Sequence, residues 1–191
     1  MWSDTAPNLF PYIARLYQGR YQFQGKDYAL PIHGFLKNRV LTLKDQHNSS
    51  ITLSLFADRD TREYYPIRIG FGPNILRNGK NIPFPLVDRK SLPLVHNLFD
   101  DDAIILKNMA KEVSLFSPNN STMITLTYPD MHYLGIWHRP RTRAEYVCIE
   151  PWSSLPGHED TIEDLEKQSD LISLPTGKSY HNEWSITVTT N

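Results

Sequence analysis

The sequence is poor in the residues that many binding and catalytic motifs require. It has one cysteine, Cys148, and 9 glycines against 14 prolines in 191 residues. A single cysteine excludes an intrachain disulfide framework and a zinc site built from several cysteines. The sequence also has no glycine-rich phosphate loop and no G-x-S-x-G elbow. The standard signatures of nucleotide binding and of serine nucleophiles are therefore missing.

The chain also lacks a charge excess and a long apolar run. Lys and Arg number 20 against 21 Asp and Glu, a net charge of −1, whereas a phosphate-backbone binder would carry a basic excess. No run approaches the roughly 18 apolar residues of a membrane helix, and the N-terminus has no signal-peptide pattern. We expect a soluble cytoplasmic protein without a nucleic-acid or membrane partner. The length and a hydrophobic content of 40% favour a single domain, residues 1–191.

Helical periodicity is scarce, and alternation with period 2 is frequent. Alternating apolar and polar residues are typical of a strand with one solvated face. The clearest runs are Ile51–Leu55, Met123–Tyr128 and Trp184–Thr189. Two hairpins are predicted: Arg20–Phe23 with Tyr28–Leu30 around a turn at Gln24–Asp27, and Val40–Lys44 with Ile51–Ala57 around Asp45–Ser50.

One short helix is predicted over Thr161–Gln168. Asp160 or Thr161 could cap it, and Glu163 and Lys167 form an i,i+4 pair. Leu92–Asn97 favours a second short turn. The strands dominate, so the sequence predicts an all-β domain, a sandwich of antiparallel sheets.

The histidines give no sign of a metal site. None of the seven lies at a ligand spacing such as H-x-x-x-H, so we expect no metal. The run Asp100–Asp102 could suggest a cation, but it is more typical of a solvated acidic turn. Cofactor motifs are missing as well, and we expect none.

Two segments place an ionisable residue inside an apolar strand. Glu150 ends the run Tyr146–Trp152, where burial should raise its pKa; the alternative is a strand-end glutamate paired with an arginine. His33 precedes a glycine in Leu30–Phe35, and the alternative there is a hydrogen-bonded loop histidine.

Together with these segments, two further blocks resemble the aldose 1-epimerase (galactose mutarotase) family, and more closely its aldose 1-epimerase-like branch. The four blocks are Ala6–Pro11 running to Leu16, Pro31–Phe35, Leu98–Ala103, and Gly135–Trp137 followed by Cys148–Trp152. The order of the blocks and the closing segment from Leu174 to Ile186 also fit. The resemblance implies a mutarotase-type β-sandwich that interconverts the α and β anomers of a free aldohexose, a small-molecule sugar substrate.

The resemblance also implies site residues. Glu150 matches the family's general base, which takes the proton from the anomeric hydroxyl before the ring opens. His33 and Arg15 match residues that hold the sugar and its ring oxygen, and Asp102 matches one that binds hydroxyl groups. Trp152 could pack on the apolar face of the sugar. The 18 residues from Arg15 to His33 suit one hairpin that returns the chain to the same edge.

The sequence departs from the family at the general acid. The family has a histidine in a glycine-x-histidine-proline run, whereas here Ile69–Asn74 has Gly72 at that position. Glycine has no side chain that donates a proton, so the acid is lost or supplied elsewhere, with His33 and His96 as candidates. General acid–base groups typically contribute about 10²–10⁴-fold, so the loss would leave a weak enzyme.

The chain is also shorter than the family pattern, with strands missing before Ala6 and between Pro66 and Ile69. A sandwich without these strands exposes sheet edges and apolar faces, which favours a homo-oligomer that covers them.

Three hypotheses follow from the sequence: an active isomerase, a catalytically weak sugar-binding protein of the same fold, and a plain β-sandwich interaction module. We favour the first. Arg15 is the only arginine seen near the proposed site, which favours an uncharged sugar.

Overall fold

The computed structural model describes residues 9–55, 81 and 83–190. Within these ranges the chain forms eleven strands and three short 3-10 turns, without an α-helix. The all-β prediction is confirmed. The strands are β1 (Arg20–Phe23), β2 (Lys26–Ala29), β3 (Thr42–Gln46), β4 (Ile51–Ser54), β5 (Ile104–Lys107), β6 (Glu112–Ser117), β7 (Asn120–Thr127), β8 (Tyr133–Trp137), β9 (Cys148–Trp152), β10 (Glu163–Asp164) and β11 (Ser185–Thr190).

The first sheet has the order β10-β1-β2 and contains the first predicted hairpin. Its turn residues Gln24 and Gly25 have φ values of 50° and 70°. Positive φ at both central residues is what a two-residue hairpin turn requires, and glycine adopts it without a steric penalty. One face of this sheet forms a small core with the incoming segment, made of Tyr12, Leu16, Tyr21, Phe23 and Leu30.

The second predicted hairpin is the pair β3–β4. Leu43 lies opposite Leu53, and a register shift follows at Asp45. The hairpin packs against little else, because Leu43, Ile51 and Leu53 are 53%, 60% and 48% exposed. Its predicted continuation to Ala57 lies outside the described residues.

The main core lies between two three-stranded sheets, β5-β8-β9 and β11-β7-β6. Because side chains alternate along a strand, Leu134 and Ile136 of β8 project from the same face of the sheet β5-β8-β9. They meet Leu126 of β7 and Tyr128 just beyond it. Leu134 is 0% exposed. The opposite face of β5-β8-β9 carries Glu150 and is the face that concerns function.

The predicted helix over Thr161–Gln168 is wrong. Its central part is strand β10, which pairs in parallel with β1 through Tyr21 and Glu163. The Leu165 amide donates to the carbonyl of Gln22 at 3.0 Å, so the backbone uses a distant partner instead of its own preceding turn. The predicted turn over Leu92–Asn97 lies slightly later, as a 3-10 turn at His96–Phe99.

The sheet β11-β7-β6 leaves part of an apolar face exposed. Ile186 and Val188 of β11 lie opposite Leu126 and Ile124 of β7, so these four side chains share one face. Leu126 is in the core, but Ile124, Ile186 and Val188 are 40%, 57% and 62% exposed. Such a surface is expected of a sandwich that lacks strands.

We expect this apolar face to drive self-association. Ile186→Thr combined with Val188→Thr should weaken association in sedimentation velocity while changing unfolding free energy by no more than about 1 kcal/mol, because both side chains are exposed. Thr187→Ser with Thr189→Ser, on the opposite face of the same strand, is the matched control. A wild type that stays monomeric at high concentration and unfolds in one cooperative transition would contradict the prediction.

Candidate functional site

Glu150 lies on β9, opposite Gly135 of β8, on the sheet face that points away from the main core. Burial raises the pKa of its carboxyl from 4.5 to about 7, because the charged form loses hydration there. The Trp152 side chain donates a hydrogen bond to the carboxylate, which opposes part of that rise. A carboxylate with a pKa near neutrality can both accept and release a proton at physiological pH.

Trp152 reaches this position because residue 135 is a glycine. A Cβ on Gly135 would lie 2.2 Å from ring atoms of the Trp152 indole, so the indole occupies the space of the missing side chain. Trp152 is only 3% exposed. The structure therefore gives Trp152 a contact that holds Glu150, and its role as a platform for the sugar stays a prediction.

Asp102 lies close to the same sheet face. Its Oδ1 accepts hydrogen bonds from its neighbour's amide, Ala103 N, at 2.9 Å and from Trp137 Nε1 at 2.8 Å. Trp137 is paired with Cys148, two residues before Glu150 on β9. The structure thus brings Asp102 and Glu150 to one face, connected through Trp137. Oδ2 of Asp102 makes no hydrogen bond to another described residue, so it can accept one from a ligand.

His33 and Arg15 belong to a second group, at the first sheet. The Ala14 amide donates to His33 Nδ1 at 3.0 Å, and the His33 amide donates back to the Ala14 carbonyl at 3.0 Å. The chain therefore does return to the segment of Arg15 after one hairpin. Because Nδ1 accepts a hydrogen bond, the neutral imidazole has its proton on Nε2 and acts there as a donor. His33 is 4% exposed, whereas the Arg15 side chain is exposed.

The turn that holds His33 depends on Gly34. A Cβ there would lie 2.3 Å from the Phe10 carbonyl oxygen, and Gly34 also has a positive φ of 68°. No other residue fits this close approach of two backbone segments. The pattern histidine-glycine is therefore a steric requirement of this turn.

The loop after β9 joins the two groups of residues. Leu155 N donates to Asp170 Oδ2 at 2.7 Å, and the position of a Cβ on Gly157 lies 3.7 Å from Leu16. Glu163, 7% exposed, accepts bonds from His158 N at 2.6 Å and His158 Nδ1 at 2.8 Å. These contacts tie the end of β9 to the sheet β10-β1-β2, and His33 lies in the turn that follows β2.

Sequence reasoning assigned no role to Trp137, His138 or Tyr146. His138 is 2% exposed, its Nε2 lies 2.7 Å from the Ala144 carbonyl oxygen, and its ring stacks on Tyr146 with centroids 5.0 Å apart. His96, a candidate acid, is exposed and lies beside His138, with ring centroids 5.3 Å apart. The alternation of side chains along β8 could have placed Trp137 on the same face as Gly135. Its hydrogen bond to Asp102 could not have been predicted in this way, because the two residues are distant in sequence.

Two negative findings concern the described ranges of the chain. No group of three or more His, Cys, Asp or Glu side chains in them could hold a metal ion. No helix found there is long and apolar enough to cross a membrane. Gly72, the position of the family's acid, lies outside the described residues.

Comparison with known structures gives two matches over nearly the whole chain. A galactose mutarotase-related enzyme from Lactobacillus acidophilus is 25% identical, with a TM-score of 0.78 and coverage of 95% of this chain and 82% of that one. A galactose mutarotase-like protein from Lactobacillus casei ATCC 334 is 21% identical, with a TM-score of 0.81 and coverage of 96% and 84%. The chain has the galactose mutarotase-like fold. The resemblance drawn from the sequence blocks is confirmed.

Sequence comparison finds two LacX proteins as relatives. Chromosomal LacX of Lactococcus lactis subsp. lactis is 21% identical over 255 residues, which cover 95% of this chain and 85% of LacX, and plasmid LacX gives the same values. No protein-family model matches the chain. Since 95% of 191 residues is about 181, about 74 of the 255 aligned positions have no residue here. The mutarotase-like chain is thus shortened internally, as expected from the sequence.

The raised pKa of Glu150 predicts a pH-dependent stability. The folded state binds the proton of Glu150 more tightly than the unfolded state, so stability falls as pH rises from about 4.5 to about 7. The loss should be about 3 kcal/mol. Urea unfolding of the wild type and of Glu150→Gln across this range measures it, because the variant cannot titrate. Parallel pH profiles for the two proteins would contradict the prediction.

Gly135→Ala should displace the Trp152 indole. We expect a loss of about 1–3 kcal/mol in unfolding free energy, as for overpacking, and a further rise in the Glu150 pKa because its hydrogen-bond donor moves away. Urea unfolding and carboxyl NMR titration measure these effects. Gly157→Ala is the matched control, since its nearest neighbour, Glu163 Cγ, would lie at an ordinary 3.4 Å. Equal effects of the two substitutions would argue against the contact.

Proposed function

We propose that this protein is an aldose 1-epimerase-like isomerase that interconverts the α and β anomers of an aldohexose, with Glu150 as general base. The observation that carries the proposal is the half-buried Glu150, whose desolvated carboxyl has a pKa of about 7 that suits reversible proton transfer at neutral pH. The fold, which is similar to that of a galactose mutarotase-related enzyme, supports the same reaction class.

The proposed reaction begins when Glu150 takes the proton from the anomeric hydroxyl. The C1–O5 bond of the ring breaks, and its electron pair moves to O5, which takes up a proton, while C1 becomes an aldehyde. Rotation about the C1–C2 bond turns the other face of the aldehyde to O5. O5 then attacks C1 and returns its proton to the group that donated it, while Glu150 returns its proton to O1, and the other anomer results.

The ring oxygen needs a donor as its bond to C1 breaks, and His33 is our candidate. Its Nδ1 accepts from Ala14 N at 3.0 Å, so the neutral imidazole presents its proton at Nε2. This arrangement stabilises negative charge on the ring oxygen by a hydrogen bond, but releasing the Nε2 proton completely from a neutral imidazole is unfavourable. The site would therefore catalyse ring opening more slowly than one with an imidazolium acid.

Substrate binding is assigned to Asp102, Arg15 and Trp152. Asp102 has Oδ1 fixed by Trp137 and Oδ2 available for a sugar hydroxyl. The exposed guanidinium of Arg15 can donate to several oxygens at once. Trp152 orients Glu150 through its hydrogen bond, and we assign its indole to the surface on which the sugar would rest. We propose a cytoplasmic enzyme for a small sugar.

Saturation-exchange NMR between the anomers of glucose and of galactose tests the proposal. Wild type should accelerate exchange with a pH profile that rises through about 7, since the base must be ionised. Glu150→Gln should lower kcat by about 10²–10⁴-fold. Glu183→Gln, at an exposed glutamate, is the control and should change little. No acceleration by a folded wild type, or equal rates for wild type and Glu150→Gln, would refute an isomerase of these free aldohexoses.

A catalytically weak sugar-binding protein is the second candidate, and the observation that favours it is Gly72. If binding is intact and only the acid is missing, Gly72→His should raise the rate of anomer exchange. A sugar that binds to the wild type without any acceleration in either protein would favour this second function.

A further inference from the structure

The loop between β8 and β9, residues 138–147, carries three arginines in five positions: Arg139, Arg141 and Arg143. All three side chains are exposed, and Glu145 is the only acid in the loop, so its formal charge is +2. The whole chain has a net charge of −1, so this concentration of positive charge is local. We refer to residues 138–147 as the arginine loop.

The backbone of the arginine loop is fixed at several points. Arg139 N donates to the Tyr146 hydroxyl at 3.2 Å, and Arg141 N donates to Asp100 Oδ1 at 3.1 Å. The buried His138 connects to the Ala144 carbonyl oxygen at 2.7 Å and stacks on Tyr146. An ordered loop reduces the entropy lost when its side chains bind a ligand.

The three guanidinium groups have no acidic neutralising partner in the part of the chain that the structure describes. Among the described residues, no carboxylate forms an ion pair with any of them. Asp100 is close to the loop, but its Oδ1 accepts from a backbone amide, and Asp102 accepts from Trp137. Arginine binds phosphate through two parallel hydrogen bonds, a geometry that lysine does not match.

The arginine loop also begins where the candidate site ends. Trp137 and Cys148, the last pair of the β8–β9 ladder, immediately precede and follow it. Glu150 is two residues farther along β9, about 7 Å at the rise of an extended strand. The end of the ladder, where the loop begins, is thus separated from Glu150 by a distance comparable to the length of a hexose.

We infer that the arginine loop binds the phosphate of a sugar phosphate whose anomeric end lies at Glu150. This inference rests on the proposed function and changes its substrate class. It differs from the expectation of an uncharged sugar, which counted Arg15 as the only arginine near the site and stays untested.

Three ligands and two matched variants test the inference. The ligands are glucose, glucose 6-phosphate and glucuronate, which separates a phosphate from a carboxylate at the same carbon. The variant Arg139→Gln/Arg141→Gln/Arg143→Gln removes three charges from the loop. The control Lys26→Gln/Lys44→Gln/Lys178→Gln removes three exposed charges elsewhere. Thermal unfolding by circular dichroism confirms that each variant is folded.

Wild type should exchange the anomers of glucose 6-phosphate with kcat/KM at least about 10-fold above that for glucose, after subtraction of the uncatalysed rate. The arginine variant should lose about 10- to 100-fold toward glucose 6-phosphate and less than about 2-fold toward glucose, and the lysine control should match the wild type. Equal use of glucose and glucose 6-phosphate, or a preference for glucuronate, overturns the inference and leaves the proposed function standing.

Calorimetric binding separates failure of the two proposals. If wild type accelerates no exchange, the proposed function fails, but binding of glucose 6-phosphate can still be measured. Binding that is lost in the arginine variant and kept in the lysine control supports the phosphate site. Absence of binding by the wild type, or unchanged binding in the arginine variant, overturns it.

Discussion

The close approach of the Trp152 indole to the backbone at Gly135 is the contact on which the candidate site depends. It lets a large side chain lie flat across β8, where any side chain on residue 135 would collide with it. The indole donates a hydrogen bond to Glu150, whose carboxyl is desolvated by burial. Desolvation is the larger effect, so the pKa of Glu150 rises instead of falling. The packing of Trp152 and its hydrogen bond to Glu150 therefore both depend on Gly135.

Two residues proposed for the site, His33 and Asp102, share an unusual backbone with Ala14, the neighbour of Arg15. Ala14, His33 and Asp102 have φ values of 78°, 66° and 86°, in a region that L-residues with a Cβ avoid. Each lies where the chain leaves or approaches a strand and must turn sharply. Such conformations persist only where surrounding contacts hold them, as the paired bonds between Ala14 and His33 do. The site is built from turns that rigid sheets hold in place.

The main core explains how a shortened chain keeps this site. Leu134 and Ile136 fix β8 against β7, and the same strand presents Gly135 and Trp137 to the opposite side. The sheet that carries Glu150 is thus anchored by one face while the other stays available. LacX has aligned segments that this chain lacks. Their absence is compensated less well at the other sheet, where Ile186 and Val188 of β11 remain exposed.

Local chemistry made much of the strand pattern predictable. The alternation in Met123–Tyr128 and the glycine turn after Phe23 depend on neighbouring residues alone, and both appear as strands and a hairpin. The helix predicted over Thr161–Gln168 was wrong because that prediction, too, depended on neighbouring residues alone. Its local propensity was real, but pairing of Glu163 with Tyr21 joins residues far apart in sequence. A short segment of sequence around Thr161 does not contain Tyr21, so it cannot predict this pairing.

By itself the sequence determined the β class, the mutarotase-like resemblance and the residue types available for acid–base chemistry. It also marked Glu150, because an acid inside an apolar strand must be desolvated wherever that strand packs. Only the tertiary structure decided which residues meet. The bond from Trp137 to Asp102 and the position of the arginine loop beside the site depend on strand pairing. Hydrogen bonds and Coulomb interactions act through space, so their partners are fixed when the sheets assemble.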